Sequence, residues 1–398
     1  MTCRNEVSRA GRLIGTLILF AAMPSAAPAQ DQPAWRSFTS AFDAYARADS
    51  IVGASAVLVR DGRIATRRAI GVADRGRGQR VDDRTIFHWA SITKTLTAVA
   101  VMQLRDRGLL TLDDPVTRWL PELRQVHNPY GPMDAITVRM LLSHSAGFQD
   151  PTWPYDEGRP WEPFEPTRWE QLVAMMPYQQ IHFAPGTRYG YSNPAYIYLA
   201  RIIELLTGDP WAVYVQKNIW TPLGMTRSYV NTTPYHLAAD RSNRYYLVRD
   251  SAGREHVSER GRDFDPGVTI PNGGWNAPLD DVAVWMAFLT GADGGDAARR
   301  RSYETVLGRN TLEEMLRAVV PAGRAESMGL GFFLREGNGR RFVGHTGDQG
   351  GFRSFLYFDP DLRTGVIAVV NTSNGVRGDA SDDGFREVLR KGLEALGP

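Results

Sequence analysis

The stretch Phe87-His88-Trp89-Ala90-Ser91-Ile92-Thr93-Lys94-Thr95-Leu96-Thr97 sets a lysine three residues after a serine, in a chain that nearly lacks lysine. Of 46 Lys plus Arg, the lysines are Lys94, Lys217 and Lys391. Arginine keeps its proton at any working pH, whereas a lysine in an apolar, crowded pocket can lose it. A serine hydroxyl is a poor nucleophile until a neighbouring base takes its proton. From Ser91 onward, Leu96, Val99, Ala100, Met102 and Leu104 suit a buried helix. At the start of that helix Ser91 and Lys94 share a face, roughly 5–6 Å apart at their side-chain roots. The helix N-terminus also aims free backbone N–H groups at whatever reacts with Ser91. The arginine surplus itself is most simply a codon bias, under which Lys217 and Lys391 persist without an evident duty.

Two further elements carry chemistry. Phe183-Ala-Pro-Gly186-Thr-Arg-Tyr189-Gly-Tyr191-Ser192-Asn193-Pro194 sets a phenol and an amide two residues apart, just before a helix. An adjacent cation stabilises phenolate, which makes Tyr191 the second proton-transfer candidate. Tyr189, Tyr196 and Tyr198 read as aromatics packing on the core. The third element is His345-Thr346-Gly347-Asp348 on an expected strand. Glycine there lets substrate backbone approach the strand closely. The N–H of Asp348, with that of Ser91, would make an oxyanion hole, in which losing one donor typically costs about 10²–10³ in rate.

Around these elements the pattern alternates between two periods. Trp35–Ala48 reads as an amphipathic helix. Ile51–Val59 and Ile64–Val72 read as strands joined by the turn Arg60-Asp61-Gly62-Arg63. A helical region follows, clearest at Val138–Ser143, Trp169–Met176 and Ala195–Leu206 and interrupted by proline-rich Pro151–Pro166. Strands return at Gly329–Arg335, Arg341–His345, Phe352–Phe358 and Gly365–Asn371, with turn residues between them. Asp382–Leu396 is a closing helix. A hairpin and a late meander flanking a helical middle predict one antiparallel sheet with a large helical insertion.

Net charge of +2 arises from interspersed Arg, Asp and Glu with no basic run, so nucleic acid is not an expected partner. The first residues read as a targeting segment: Arg4, Arg9 and Arg12, then apolar Leu13–Met23, then Ala27-Pro28-Ala29. That apolar core is shorter than the about 20 residues a membrane span needs. Cleavage after Ala29 and export to the periplasm or medium are expected, with no membrane anchor thereafter. Cys3 would leave with the signal, so the mature chain would have neither disulfide nor thiol chemistry. No Gly-x-Ser-x-Gly elbow, His-Glu-x-x-His motif or phosphate-binding glycine loop is present, so no cofactor or metal is implied.

In this order the three elements resemble the serine β-lactamase and penicillin-binding-protein superfamily, in its class C or peptidase S12-like branch. The resemblance runs from about Gly53 to Leu396. It includes Leu141-Leu-Ser-His144-Ser-Ala-Gly147-Phe, Ile219-Trp-Thr-Pro-Leu-Gly-Met225 and Pro271-Asn-Gly-Gly-Trp275. It implies an α/β (α+β) fold, β-lactamase/transpeptidase-like, with a central antiparallel sheet flanked by helices. Residues 30–90 and 271–398 would form the sheet subdomain and 91–270 a mostly helical one, with the active site between them. By the same resemblance Ser91 is the acylated nucleophile, Lys94 its proton partner and Tyr191 general base and acid. Asn193 would bind a substrate amide or the lysine. His345-Thr346-Gly347 stands where β-lactamases carry Lys-Thr-Gly. Histidine is largely neutral at pH 7, so carboxylate recognition is weakened and esters or amides are favoured over β-lactams. Arg353 would serve as a solvated surface residue or an anion clamp, and His144 would tie a turn together. The cleft walls are expected from Gln149–Pro166, Asn231–Pro271 and Gly291–Tyr303.

The implied activity is that of an exported serine hydrolase acting through an acyl-enzyme on a small-molecule or peptide substrate, as a carboxylesterase or D-amino-acid peptidase. A β-lactamase or D,D-carboxypeptidase is the alternative enzyme. A catalytically quiet sensor using the same cleft is the alternative of another class.

Overall fold

The computed structural model describes residues 33–148, 166–337 and 339–397. The targeting segment, Cys3 and nearly all of Gln149–Pro166 lie outside these described residues. The expected hairpin forms as β1 (Gly53–Arg60) and β2 (Arg63–Asp74). Asp61 (φ 45°) and Gly62 (φ 74°) are both left-handed in its two-residue turn, the geometry that matches the strands' own twist.

Among the described residues these strands belong to a nine-stranded sheet. Its order is Gln79–Arg80, β2, β1, Thr364–Val370, Phe352–Asp359, Arg340–Gln349, Phe333–Gly337, Glu326–Met328 and Val320–Pro321. Every neighbouring pair is antiparallel. Strand side chains alternate between faces, and here the parity sorts two cores. Ala54, Ala56, Leu58, Phe355, Tyr357 and Ala368 pack with α1 (Pro33–Ala48) and the closing helix Asp379–Glu394. Val57, Val59, Leu356, Phe358, Ile367 and Val369 pack with α2 (Thr93–Asp106) and the helix Leu279–Thr290. Phe352–Asp359 and Thr364–Val370 are buried on both faces and supply the centre of the sheet.

The expected helices appear at Val138–Leu142, Trp169–Met175 and Asn193–Thr207. Three departures have local causes. The strand read at Gly329–Arg335 is broken, leaving Glu326–Met328 and Phe333–Gly337. At Gly331 the chain turns left-handed (φ 88°) and passes so close to α2 that a Cβ would meet Ala98 Cβ at 2.4 Å. Gly291–Tyr303, read as a loop, carries the helix Ala297–Val306, whose Asp296 cap accepts from the N–H groups of Ala298 and Arg299. Asn231–Pro271, also read as a loop, holds the hairpin Tyr245–Arg249/Glu255–Glu259, which pairs in parallel with Thr372–Asn374. Among the described residues no helix is long and apolar enough to cross a membrane.

One buried amide ties this edge to the sheet. Asn371 Oδ1 accepts from the Gly53 N–H at 2.7 Å, and its Nδ2 donates to the Val72 carbonyl at 3.1 Å and Ser242 Oγ at 3.0 Å. Truncation leaves several buried polar groups without partners, each worth about 1–3 kcal/mol. Asn371→Ala is expected to lower the unfolding free energy by about 2–4 kcal/mol, read as a drop in urea midpoint at unchanged m-value.

Candidate active site

Ser91 sits in a one-turn 3₁₀ segment, Ala90–Ile92, that runs straight into α2. Ala90 takes φ 50°, a left-handed conformation that a Cβ disfavours by about 1–2 kcal/mol. Trp89 holds the turn against this strain: its N–H donates to the Trp275 carbonyl at 2.8 Å, and its indole N–H donates to the Ala277 carbonyl at 2.9 Å. The Trp89 carbonyl accepts from Ser354 Oγ at 3.1 Å, and Thr93 Oγ1 donates to the Ala90 carbonyl at 2.6 Å. The nucleophile candidate is thus presented by a braced corner at a helix start.

Lys94 is fully buried, and its ammonium donates to Ser91 Oγ at 3.0 Å, Asn193 Oδ1 at 2.8 Å and the Asn272 carbonyl at 2.9 Å. Those three acceptors match the three N–H bonds of an ammonium. The Tyr191 ring centroid lies 4.9 Å from Nζ and that of Tyr196 lies 5.7 Å away, within range of a cation–π attraction. Tyr191 and Asn193 flank Ser192, the cap of helix Asn193–Thr207, whose Oγ accepts from the Ala195 N–H at 3.2 Å. Pro194 follows at the helix start, where its missing N–H has no cost. The Tyr-x-Asn spacing thereby becomes a rigid helix entrance, with both side chains on the cleft that holds Ser91.

The strand Arg340–Gln349 pairs with Phe333–Gly337 only as far as Gly344. From His345 onward that edge is left to the Ser91 turn. Gly347 is glycine for this packing: a Cβ would lie 2.4 Å from the Trp89 carbonyl and 3.1 Å from Ala90 Cβ. Gly347 also lines the cleft, where it was expected to admit substrate, so the missing side chain bears on the Ser91 corner as well. Thr346 and Asp348 line the same cleft.

His345 is buried, and its Nδ1–H donates to the Thr346 carbonyl at 2.5 Å. Burial, reinforced by the Lys94 cation, pushes its pKa down to about 3, so the ring is neutral. Arg353 differs from the expectation of a solvated residue. It is buried and paired with Asp382 at 2.7 Å and Asp348 at 3.2 Å. Arg335 is likewise held by Glu326 at 2.7 Å.

The cleft encloses about 540 Å³. Its outer wall comes from Phe333, Arg335 and the closing helix, through Phe385 and Leu389; among the described residues, Asn231–Pro271 and Gly291–Tyr303 do not line it. The strand pairing and the docking of the C-terminal helix decide this wall, and no local pattern announces it. Tyr189, read as a core aromatic, lines the cleft and meets Phe333 edge-on at 6.0 Å. Tyr196 and Tyr198 are buried as expected, and burial raises both phenols well above their ordinary range. Asn272 is a site residue missed in sequence. Its Nδ2 donates to Asn193 Oδ1 at 3.1 Å while its carbonyl takes the lysine; the only signal was its place in Pro271-Asn-Gly-Gly-Trp275.

A family model described as "Beta-lactamase" matches residues 38–390. Esterase EstB of Burkholderia gladioli is 36% identical over 289 residues, covering 65% of this chain and 72% of that protein. Penicillin-binding protein 4 of Amycolatopsis lactamdurans is 29% identical over 361 residues, covering 87% of each chain. The solved D-stereospecific amidohydrolase from Streptomyces sp. superposes with a TM-score of 0.67 at 25% identity, covering 90% of this chain and 98% of that one.

Three histidines are kept neutral by burial: His345, His88, pushed down to about 4 by burial and the Arg241 cation, and His144, pushed well below its ordinary value. In the unfolded chain each takes a proton near pH 6.5, so between that value and the folded one the unfolded state binds more protons. Their stabilising effect is therefore complete above about pH 6.5 and declines as pH falls toward 4, by at most about 1.4 kcal/mol per unit for each ring. Urea midpoints are expected to fall progressively below pH 6.5, and His345→Asn should make that slope shallower.

Proposed function

The chain belongs to the beta-lactamase family and is a serine hydrolase of the acyl-enzyme type, and from that premise we propose that it is an exported hydrolase of esters or amides whose recognition needs no substrate carboxylate. The observation that carries the catalytic reading is the buried Lys94 ammonium, which donates to Ser91 Oγ beside the Tyr191 ring. As an ammonium, Lys94 has no lone pair for the serine proton. Its charge favours oxygen anions nearby, and Tyr191 as phenolate is the group that takes the proton. The active species is accordingly the one in which the Lys94–Tyr191 couple holds one proton less than its full complement.

In the proposed course, Ser91 Oγ bonds to the substrate acyl carbon as its proton passes to Tyr191. The resulting oxyanion sits on the N–H groups of Ser91 and Asp348. Collapse breaks the bond to the alkoxide or amine, which leaves with the proton held by Tyr191. Water, giving a proton to Tyr191, then attacks the acyl carbon and releases the acid and Ser91 Oγ–H. Positioned acid–base groups of this kind contribute about 10²–10⁴. Asn193, together with Asn272, orients the lysine through Oδ1, and its side chain lines the cleft where a substrate amide would lie.

Substrate class follows from charge. The residue in the Lys-Thr-Gly position is a neutral histidine, and Arg335 and Arg353 are each paired with carboxylates. A free carboxylate, as in penicillins or D-Ala-D-Ala peptides, gains little from such a cleft. The name of EstB, an esterase, supports the ester reading. The neutral His345 disfavours the β-lactamase and D,D-carboxypeptidase alternatives, and the assembled Ser91, Lys94 and Asn193 network disfavours a quiet sensor.

A fluorophosphonate probe is expected to label the wild type and not Ser91→Ala. In a panel of nitrophenyl esters, D-amino-acid amides, a D-Ala-D-Ala peptide and nitrocefin, turnover should favour the first two groups. Nitrocefin hydrolysis at a comparable rate would reverse the substrate assignment. Export predicts that the protein recovered from the periplasm or medium begins at Gln30, read by N-terminal sequencing.

A further inference from the structure

We infer that His144 is a positioning residue for Tyr191, holding the tyrosine's backbone on both sides and its ring face while touching no substrate. This rests on the reading of Tyr191 as the proton-transfer group. His144 lies just beyond the short helix Val138–Leu142, in the left-handed region at φ 53° and fully buried. Its carbonyl accepts from the Gly190 N–H at 2.8 Å. Its Nδ1 accepts from the Ser192 N–H at 3.1 Å. The residues immediately before and after Tyr191 are therefore both fixed to one histidine. The imidazole also lies against the Tyr191 ring, with centroids 4.5 Å apart and an interplanar angle of 34°.

The chemistry of these contacts specifies the ring's state. A backbone N–H only donates, so Nδ1 must offer its lone pair and the proton sits on Nε2. Protonation would remove that lone pair and release Ser192. The surroundings oppose it: the ring is buried among Tyr189, Tyr191 and Tyr196, with the Lys94 cation and His345 as the charged and titratable groups that disfavour a second positive charge. Tyr196 backs the arrangement, its hydroxyl donating to the Leu142 carbonyl at 2.9 Å.

A tyrosine displaced by about 1 Å loses catalysis disproportionately, because proton transfer depends on a near-attack geometry. Substrate binding, made by other walls of the cleft, is not engaged by His144. The expected signature is thus a loss in kcat with KM little changed.

Two substitutions separate the contacts. His144→Asn tolerates left-handed backbone and keeps an acceptor near the Nδ1 position, but lacks the ring. His144→Ala removes both acceptor and ring. Rates would be measured as Ser91 labelling by a fluorophosphonate and as nitrophenyl butyrate hydrolysis, with far-UV circular dichroism as the folding check. His144→Ala is expected to lose about 10²-fold in kcat with KM within threefold, and His144→Asn to recover most of that loss. In a Tyr191→Phe background, His144→Ala should have no further effect, since the residue it positions no longer functions. If Tyr191→Phe is impaired and the His144→Ala loss still adds in full, the positioning role is overturned. The same holds if folded His144→Ala keeps kcat within threefold of wild type. If Tyr191→Phe retains wild-type kcat, the reading of Tyr191 itself falls. Should His144→Ala not fold, His144→Gly, which suits the left-handed backbone and lacks both acceptor and ring, takes its place in both backgrounds with the same outcomes.

Discussion

A lysine ammonium removed from water must have all three of its N–H bonds accepted, because an unpartnered buried cation is far costlier than an unpartnered neutral group. Lys94 meets that demand with acceptors from three distant parts of the chain: the turn before α2, the entrance to helix Asn193–Thr207 and the short segment around Asn272. The serine hydroxyl is among these acceptors, so the requirement that stabilises the buried charge also sets the nucleophile beside it. Asn193 and Asn272 share a hydrogen bond of their own, which closes the network and fixes the cation's position.

The sheet supplies the second fixed point. Among the described residues, the strand Arg340–Gln349 has no strand partner on this edge from His345 onward, and Gly347 lets the Trp89-Ala90 corner settle against it. A side chain at 347 would push out the corner that carries Ser91. Strain at Ala90 persists because Trp89, Thr93 and Ser354 hold both sides of it, as expected of a site where the surrounding fold over-determines a disfavoured backbone.

Electrostatics then narrow the chemistry. Burial, and after it the positive charge of Lys94, depresses the two nearby histidines, His144 and His345. Arginines beside the cleft are held by carboxylates of the sheet and closing helix. The cleft thus combines a buried cation at the serine with arginines that are each paired to a carboxylate. Its outer part sets Phe333, Phe385 and Leu389 beside the charged Arg335, Asp382 and Arg386.

The sequence by itself determined the parts governed by short-range pattern. These are the Asp61-Gly62 hairpin, the central strands with their alternating faces, the helices after Ser91 and Ser192, and Ser91-x-x-Lys94 as one helical turn. It also disclosed Tyr191, Asn193 and His345 as chemically unusual choices, because scarce lysine, paired phenol and amide, and a histidine before Thr-Gly are local facts. Tertiary structure alone decided what depends on distant segments meeting. Asn272 became part of the site through its carbonyl, which no residue pattern reports. Gly347, besides lining the cleft, admits the Ser91 corner, a contact spanning more than two hundred residues of chain. Arg353 was neutralised by Asp348 and Asp382, and Tyr189 became a cleft wall, because strand register and the docking of the closing helix set their neighbours. Periodicity encodes which face a residue presents; only the folded chain determines what that face meets.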